Sequence, residues 1–147
     1  MQAWATRRHA ARPENIRANA PSAFAAIITQ VDVVAAVIER NGLILICQRK
    51  SGRHAHKWEF PGGKVESGET LRDALVRELR EELAIDAVIG DLLADVTWTS
   101  IHLHFFHVTE FTGDPQNLQF EQMIWEPRPK LVDYDFLEGD IAFVKSL

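Results

Sequence analysis

Apolar residues recur along this chain with two different periods, and the change of period marks out its elements. Residues 31–39 are rich in β-branched side chains, and residues 43–48 open with a continuous apolar run. Asn41-Gly42 lies between them, and both residue types accept the positive φ of a tight hairpin turn. The pattern predicts strand, turn, strand. Trp58-Glu59-Phe60 is a short extended piece that Pro61-Gly62-Gly63 ends sharply. From Thr70 to Leu83 the period becomes helical, with Leu71, Ala74, Leu75, Leu79 and Leu83 forming one apolar stripe. Thr70, followed by Asp73, matches a capping box with Asp in place of Glu. Further strands are predicted over 91–98 and 101–111, a turn at Thr112-Gly113-Asp114-Pro115, and a short strand at Met123-Ile124-Trp125. A closing helix over 140–147 would turn Ile141, Val144 and Leu147 inward. The order predicts an α/β (α+β) domain, a mixed β-sheet covered by helices.

Composition narrows the class. The chain has 147 residues, 46% hydrophobic and 25% charged, which suits one globular domain. No apolar run approaches the roughly 18 residues of a membrane span, so no membrane partner is expected. Arg7, Arg8, Arg12 and Arg17 face a single acid, Glu14, within residues 1–30, a net +3. The chain as a whole carries −5, so the remainder carries −8. That field disfavours a nucleic acid polymer as partner, while a small phosphorylated ligand needs only local cations. Residues 1–30 read as a flexible N-terminal extension, with an upstream start codon or an Arg-rich transit peptide as alternatives. The folded domain is expected over 31–147. Cys47 is the sole cysteine and lies in an apolar run, so no internal disulfide forms and a reducing, cytoplasmic setting is expected.

The chemistry concentrates between Gly62 and Ile85. Glu78, Glu81 and Glu82 stand at i, i+3 and i+4, so a helix gathers them on one face, expected to lie opposite the apolar stripe. Like charges at that spacing repel, and a hard divalent cation with oxygen ligands relieves the repulsion. Glu69 adds a carboxylate just before the helix. Gly62 and Gly63 let backbone approach a metal or phosphate closely, and Lys64 supplies a cation. By itself, Arg77-Glu78-Leu79-Arg80-Glu81-Glu82-Leu83 reads first as a solvated helix face laced with ion pairs.

The glycine-rich loop decides between these readings. Gly63, Glu69 and the run Arg77-Glu78-Leu79-Arg80-Glu81-Glu82-Leu83-Ala84-Ile85 resemble the Nudix box at every specified position but one, Ala84, where the family has Gly. Trp58-Glu59-Phe60-Pro61-Gly62-Gly63-Lys64, the hairpin before it, and the late Tyr134-Asp135-Phe136 and Asp140 resemble the MutT-like, CTP pyrophosphohydrolase-like branch, over about residues 31–147. The resemblance implies the Nudix fold, a mixed sheet sandwiched between helices. It implies hydrolysis of a phosphoanhydride in a small nucleotide, with Mg²⁺, or Mn²⁺ in its place. Glu78, Glu81, Glu82 and the Gly62 carbonyl would be metal ligands. Glu69 would support them, Arg77 would orient a catalytic carboxylate, and Lys64 would touch phosphate. The implied substrates are 8-oxo-dGTP first, then CTP or methylated dCTP, and more distantly ADP-ribose or diadenosine polyphosphates. A non-catalytic nucleotide-binding Nudix module is the alternative class.

Several positions carry two readings. Relatives often place another Glu before the strand that ends at Trp125; counting back gives Gln119, with Glu121 a substitute on the same strand face. Asp140 would meet the base edge or cap the last helix. Phe60 would stack on the base or fill the core. Arg49 would touch base or phosphate, or simply be solvated. Trp98 would wall the pocket or be core. His102 and His104 share a strand face, but no Cys or further His recurs at zinc-ligand spacing.

Overall fold

The computed structural model describes residues 30–147, so the extension expected over 1–30 lies almost wholly outside the described residues. The strands are β1 (Val31–Arg40), β2 (Leu43–Gln48), β3 (Trp58–Glu59), β4 (Gly62–Lys64), β5 (Asp86–Val88), β6 (Leu92–Trp98), β7 (Ile101–Val108), β8 (Glu110–Thr112) and β9 (Gln122–Pro127). Helix α1 (Leu71–Leu83) separates β4 from β5, a 3₁₀ turn spans Arg128–Asp133, and helix α2 (Glu138–Ser146) follows. No described helix is long and apolar enough to cross a membrane.

The Asn41-Gly42 turn has φ of 54° and 76°, the positive values that its residue types permit. It folds β2 back on β1, which is the central strand. One edge of β1 pairs in parallel with β7 from Val31 to Ile38. The other edge pairs antiparallel, first with β4 and then with β2. The sheet runs β3-β2-β1-β7-β6, with β9 added on β2, and is mixed as expected.

Alternation along β1 sends its side chains to two cores. Val34, Ala36 and Ile38 meet Leu75, Leu79 and Leu83 of α1. Ala35 and Val37 share the opposite core with Phe105, Leu131 and Phe136, and with Phe143 and Val144 of α2. The sheet is therefore sandwiched between helices. Leu79 is fully buried, and truncation to Ala would cost about 2–5 kcal/mol.

Three expectations change. The piece 101–111 breaks at Thr109: β7 stays in the main sheet, while β8 pairs with β5 in a separate two-stranded ribbon. Pro61-Gly62-Gly63 does more than stop a strand, because Gly62–Lys64 forms β4 against Val33–Ala35. The closing helix starts at Glu138, two residues early. Its inward positions are therefore Asp140, Phe143 and Val144, while Ile141 is 37% exposed. Phe143 stacks on Phe105 with ring centroids 4.0 Å apart.

Candidate active site

Strand β4 runs between β1 and α1, and this close passage explains its two glycines. A Cβ at Gly62 would run into the Val34 carbonyl. A Cβ at Gly63 would lie 2.5 Å from the carboxyl carbon of Glu78. Backbone of the glycine strand thus lies directly against the acidic helix. Thr70 Oγ1 accepts the Asp73 N–H at 3.1 Å and fixes where that helix starts. The helix exits at Ala84, which takes left-handed dihedrals, φ 54° and ψ 37°.

The three acids of α1 were expected together on the solvent face, but they step inward instead. Glu81 is exposed, Glu78 is half-buried and Glu82 is 3% exposed. The reason is register: Glu82 neighbours Leu79 and Leu83, so its carboxylate tucks under β4 and accepts the Gly62 N–H at 3.1 Å. Burial, with the charges of Glu78 and Glu59, pushes its pKa up to about 9. Burial also raises Glu78, against the pull of Arg77.

Arg77 ties the acids together. Its Nε and Nη2 donate to the two oxygens of Glu69 at 2.8 and 2.9 Å. Its Nη1 donates to Glu78 at 3.0 Å and Glu81 at 3.3 Å, and Nη2 also reaches the Lys64 carbonyl at 3.1 Å. Hydrogen bonding from Arg77 holds Glu69 below the usual carboxylate range. Glu69, Glu78 and Glu81 thus converge on one guanidinium.

A cavity of about 830 Å³ opens beside this cluster, on the sheet face that carries Val33, Ala35 and Leu103. Gly62, Gly63, Lys64 and Glu82 line it. Arg49, Phe60, Trp98, Gln119 and Asp140 line it too. Phe60 is chiefly core: it is 3% exposed, with ring centroids 5.3–6.0 Å from Phe105, Phe136 and Phe143. Trp98 is 43% exposed and is a wall rather than core. Asp140 is not the cap of α2, since Leu137 holds that position without a side-chain bond. It is 5% exposed, and burial with the nearby Glu59 charge pushes its pKa up to about 8. Gln119 borders the cavity and Glu121 does not. Residues before Gln122 form a loop, so strand alternation does not carry one position onto the other.

Glu59 has no role implied by the family resemblance. It lines the cavity, is ion-paired to Arg49 at 3.1 Å, and is raised by burial. Arg49 Nε is buried without a hydrogen-bond partner. The available signal was alternation, since Trp58 and Phe60 turn to the core and leave Glu59 between them.

The family model of the NUDIX domain matches residues 29–146. The chain belongs to the Nudix family. Its similarity extends to CTP pyrophosphohydrolase of Escherichia coli K12, at 42% identity over 121 residues, 79% of this chain and 90% of that one. It is 41% identical over 99 residues to 8-oxo-dGTP diphosphatase of Haemophilus influenzae, 63% of this chain and 73% of that one. Among solved structures, the E. coli ORF135 protein superposes with a TM-score of 0.73 at 40% identity, covering 82% of this chain and 89% of that one. A MutT from work on Aliivibrio salmonicida and Vibrio cholerae gives 0.72 at 32% identity, covering 80% and 96%. The Nudix fold expected from the sequence is the fold observed.

Proposed function

We propose that this Nudix protein is a Mg²⁺-dependent nucleoside triphosphate pyrophosphohydrolase, converting a triphosphate and water to a monophosphate and pyrophosphate. One observation carries the reading: of three carboxylates on a single helical turn, Glu78 and Glu82 lie against a glycine strand, and Glu82 lines a nucleotide-sized cavity.

The residues fit a hard divalent ion. Glu82 is buried beside the charges of Glu78 and Glu59, a repulsive arrangement that a cation would relieve. The donors are all oxygens, which suits Mg²⁺ and, with less selectivity, Mn²⁺. Glu78, Glu81, Glu82 and the Gly62 carbonyl would hold it. When bound, the ion would neutralise charge that develops on the phosphate oxygens. Arg77 keeps Glu78 and Glu81 in place and is itself anchored by Glu69. Lys64 is exposed at the cavity and would pair with phosphate. Glu78, half-buried between Gly63 and Arg77, would take the proton from attacking water.

Asp140 would face the base. With its pKa near 8 it is largely protonated at pH 7, so it offers both a donor and an acceptor to a base edge. Phe60 and Trp98 would bound the base, and Arg49, paired with Glu59, would contact base or phosphate. The physiological reading is nucleotide-pool sanitising, with 8-oxo-dGTP as substrate. CTP or methylated dCTP is the second reading, favoured by the longer similarity to CTP pyrophosphohydrolase. The intact acids count against a non-catalytic module. The test is a panel of normal and oxidised triphosphates assayed for pyrophosphate and ranked by kcat/KM. A preference for 8-oxo-dGTP supports the first reading, and a preference for cytosine nucleotides replaces it with the second.

A further inference from the structure

A second polar cluster sits on the opposite face of the strands that floor the cavity. His102 and His104 are two apart on β7, so both imidazoles leave the sheet on one side. The parallel register of β1 puts Asp32 directly beside His102. Asp32 Oδ1 lies 2.9 Å from His104 Nε2 and 3.5 Å from His102 Nδ1. On the other flank, Asp95 of β6 is paired with His104 and lies 3.7 Å from His102 Nε2. Ligand atoms of Asp32, His102 and His104 all fall within 4.8 Å of one another. None of the three lines the cavity, whereas their chain neighbours Val33, Ile101 and Leu103 do.

We propose that Asp32, His102 and His104 form a binding site for one borderline divalent transition ion, zinc above all, with solvent completing its coordination and Asp95 orienting His102 from its far nitrogen. An Asp–His ion pair alone would explain His104. It does not explain a second imidazole, its ring centroid 4.1 Å from the first, turned to the same carboxylate oxygen. Zinc with bonds of about 2.0 Å in a tetrahedron separates its ligand atoms by about 3.3 Å. The 2.9 and 3.5 Å separations bracket that value. Two imidazoles and one carboxylate select zinc-like ions over Mg²⁺, the reverse of the all-oxygen set on α1. The ligands stand on paired strands, so little ordering is needed to bring them together. Asp32 and His102 side chains are 49% and 30% exposed, which gives the ion a way in. A bound ion would tie β1 to β7 near the β6–β7 turn, whose Trp98 and Thr99 line the cavity.

The test uses the full chain, stripped with chelator and titrated with Zn²⁺ by calorimetry and with Co²⁺ by visible absorption. His104 is buried, so His102→Gln is the informative variant, with its melting temperature measured without metal. We expect one zinc per chain that survives Glu81→Gln and binds at least about tenfold more weakly in His102→Gln and in Asp32→Asn. Nitrogen-ligated Co²⁺ bands should follow the same pattern, and one equivalent of zinc should shift the His102 and His104 imidazole resonances. Unchanged affinity in a folded His102→Gln variant, loss of the zinc in Glu81→Gln, or unmoved imidazole resonances would each overturn the assignment.

Discussion

Arg77 grips Glu69 through two parallel hydrogen bonds, Nε to Oε2 at 2.8 Å and Nη2 to Oε1 at 2.9 Å, and keeps Nη1 for Glu78 and Glu81. Only a planar fork makes all of these contacts together, because a lysine ammonium is a point donor. Arg77→Lys should therefore lower kcat by about ten- to a hundredfold while the melting temperature barely moves. Steady-state kinetics beside a thermal melt checks this, and full activity in the lysine variant would remove Arg77 from the mechanism.

Glu82 separates stability from function. Its carboxylate is buried and near other acids, so without a cation it holds a proton at pH 7, and only a bound cation draws out its charge. Glu82→Gln keeps an acceptor for the Gly62 N–H and removes the ability to ionise toward a cation. The variant should melt no lower than the parent and lose at least about a hundredfold in turnover. A variant that hydrolyses substrate at the parent rate would exclude Glu82 as a ligand.

Ala84 is the one departure from the Nudix box, and it stands in a left-handed conformation that favours glycine. Relief of the Cβ clash outweighs the entropy that glycine adds to the unfolded chain. Ala84→Gly should raise stability by about 0.5–1 kcal/mol in urea unfolding with turnover unchanged; a loss of stability would contradict the cap geometry.

Asp140 gives a pH dependence with a definite sign. Its pKa rises from 3.8 unfolded to about 8 folded, so between those values the native state holds a proton that the unfolded chain has released. Stability then falls as pH rises through that window, by at most about 1.4 kcal/mol per unit from this group. Asp140→Asn lacks the term, so its stability should gain on the parent from pH 5 to pH 8 in urea titrations. Parallel curves would mean that Asp140 is ionised in the folded protein.

Legibility in the sequence followed the range of the interactions. The β1–β2 hairpin and α1 were readable because turn chemistry and helical period are local. The Nudix box was readable because its ligands sit within one short segment. What escaped depended on neighbours distant in sequence. Glu82 looks like Glu78 and Glu81 along the chain, and only the passage of β4 over it reveals its burial. Asp32 meets His102 through a parallel pairing some 70 residues away, so no spacing rule brings them together. Ile141 was misplaced because the helix start at Glu138 carries no side-chain cap to mark it. Glu59 gained its place only when Arg49 folded back beside it.

The most direct test of the central claim is pyrophosphate release from 8-oxo-dGTP and CTP with and without Mg²⁺, by the parent and by Glu78→Gln. The account predicts turnover that requires the ion and falls at least about a hundredfold in a variant that remains folded. Equal rates after chelation, or equal rates in the two proteins, would contradict it.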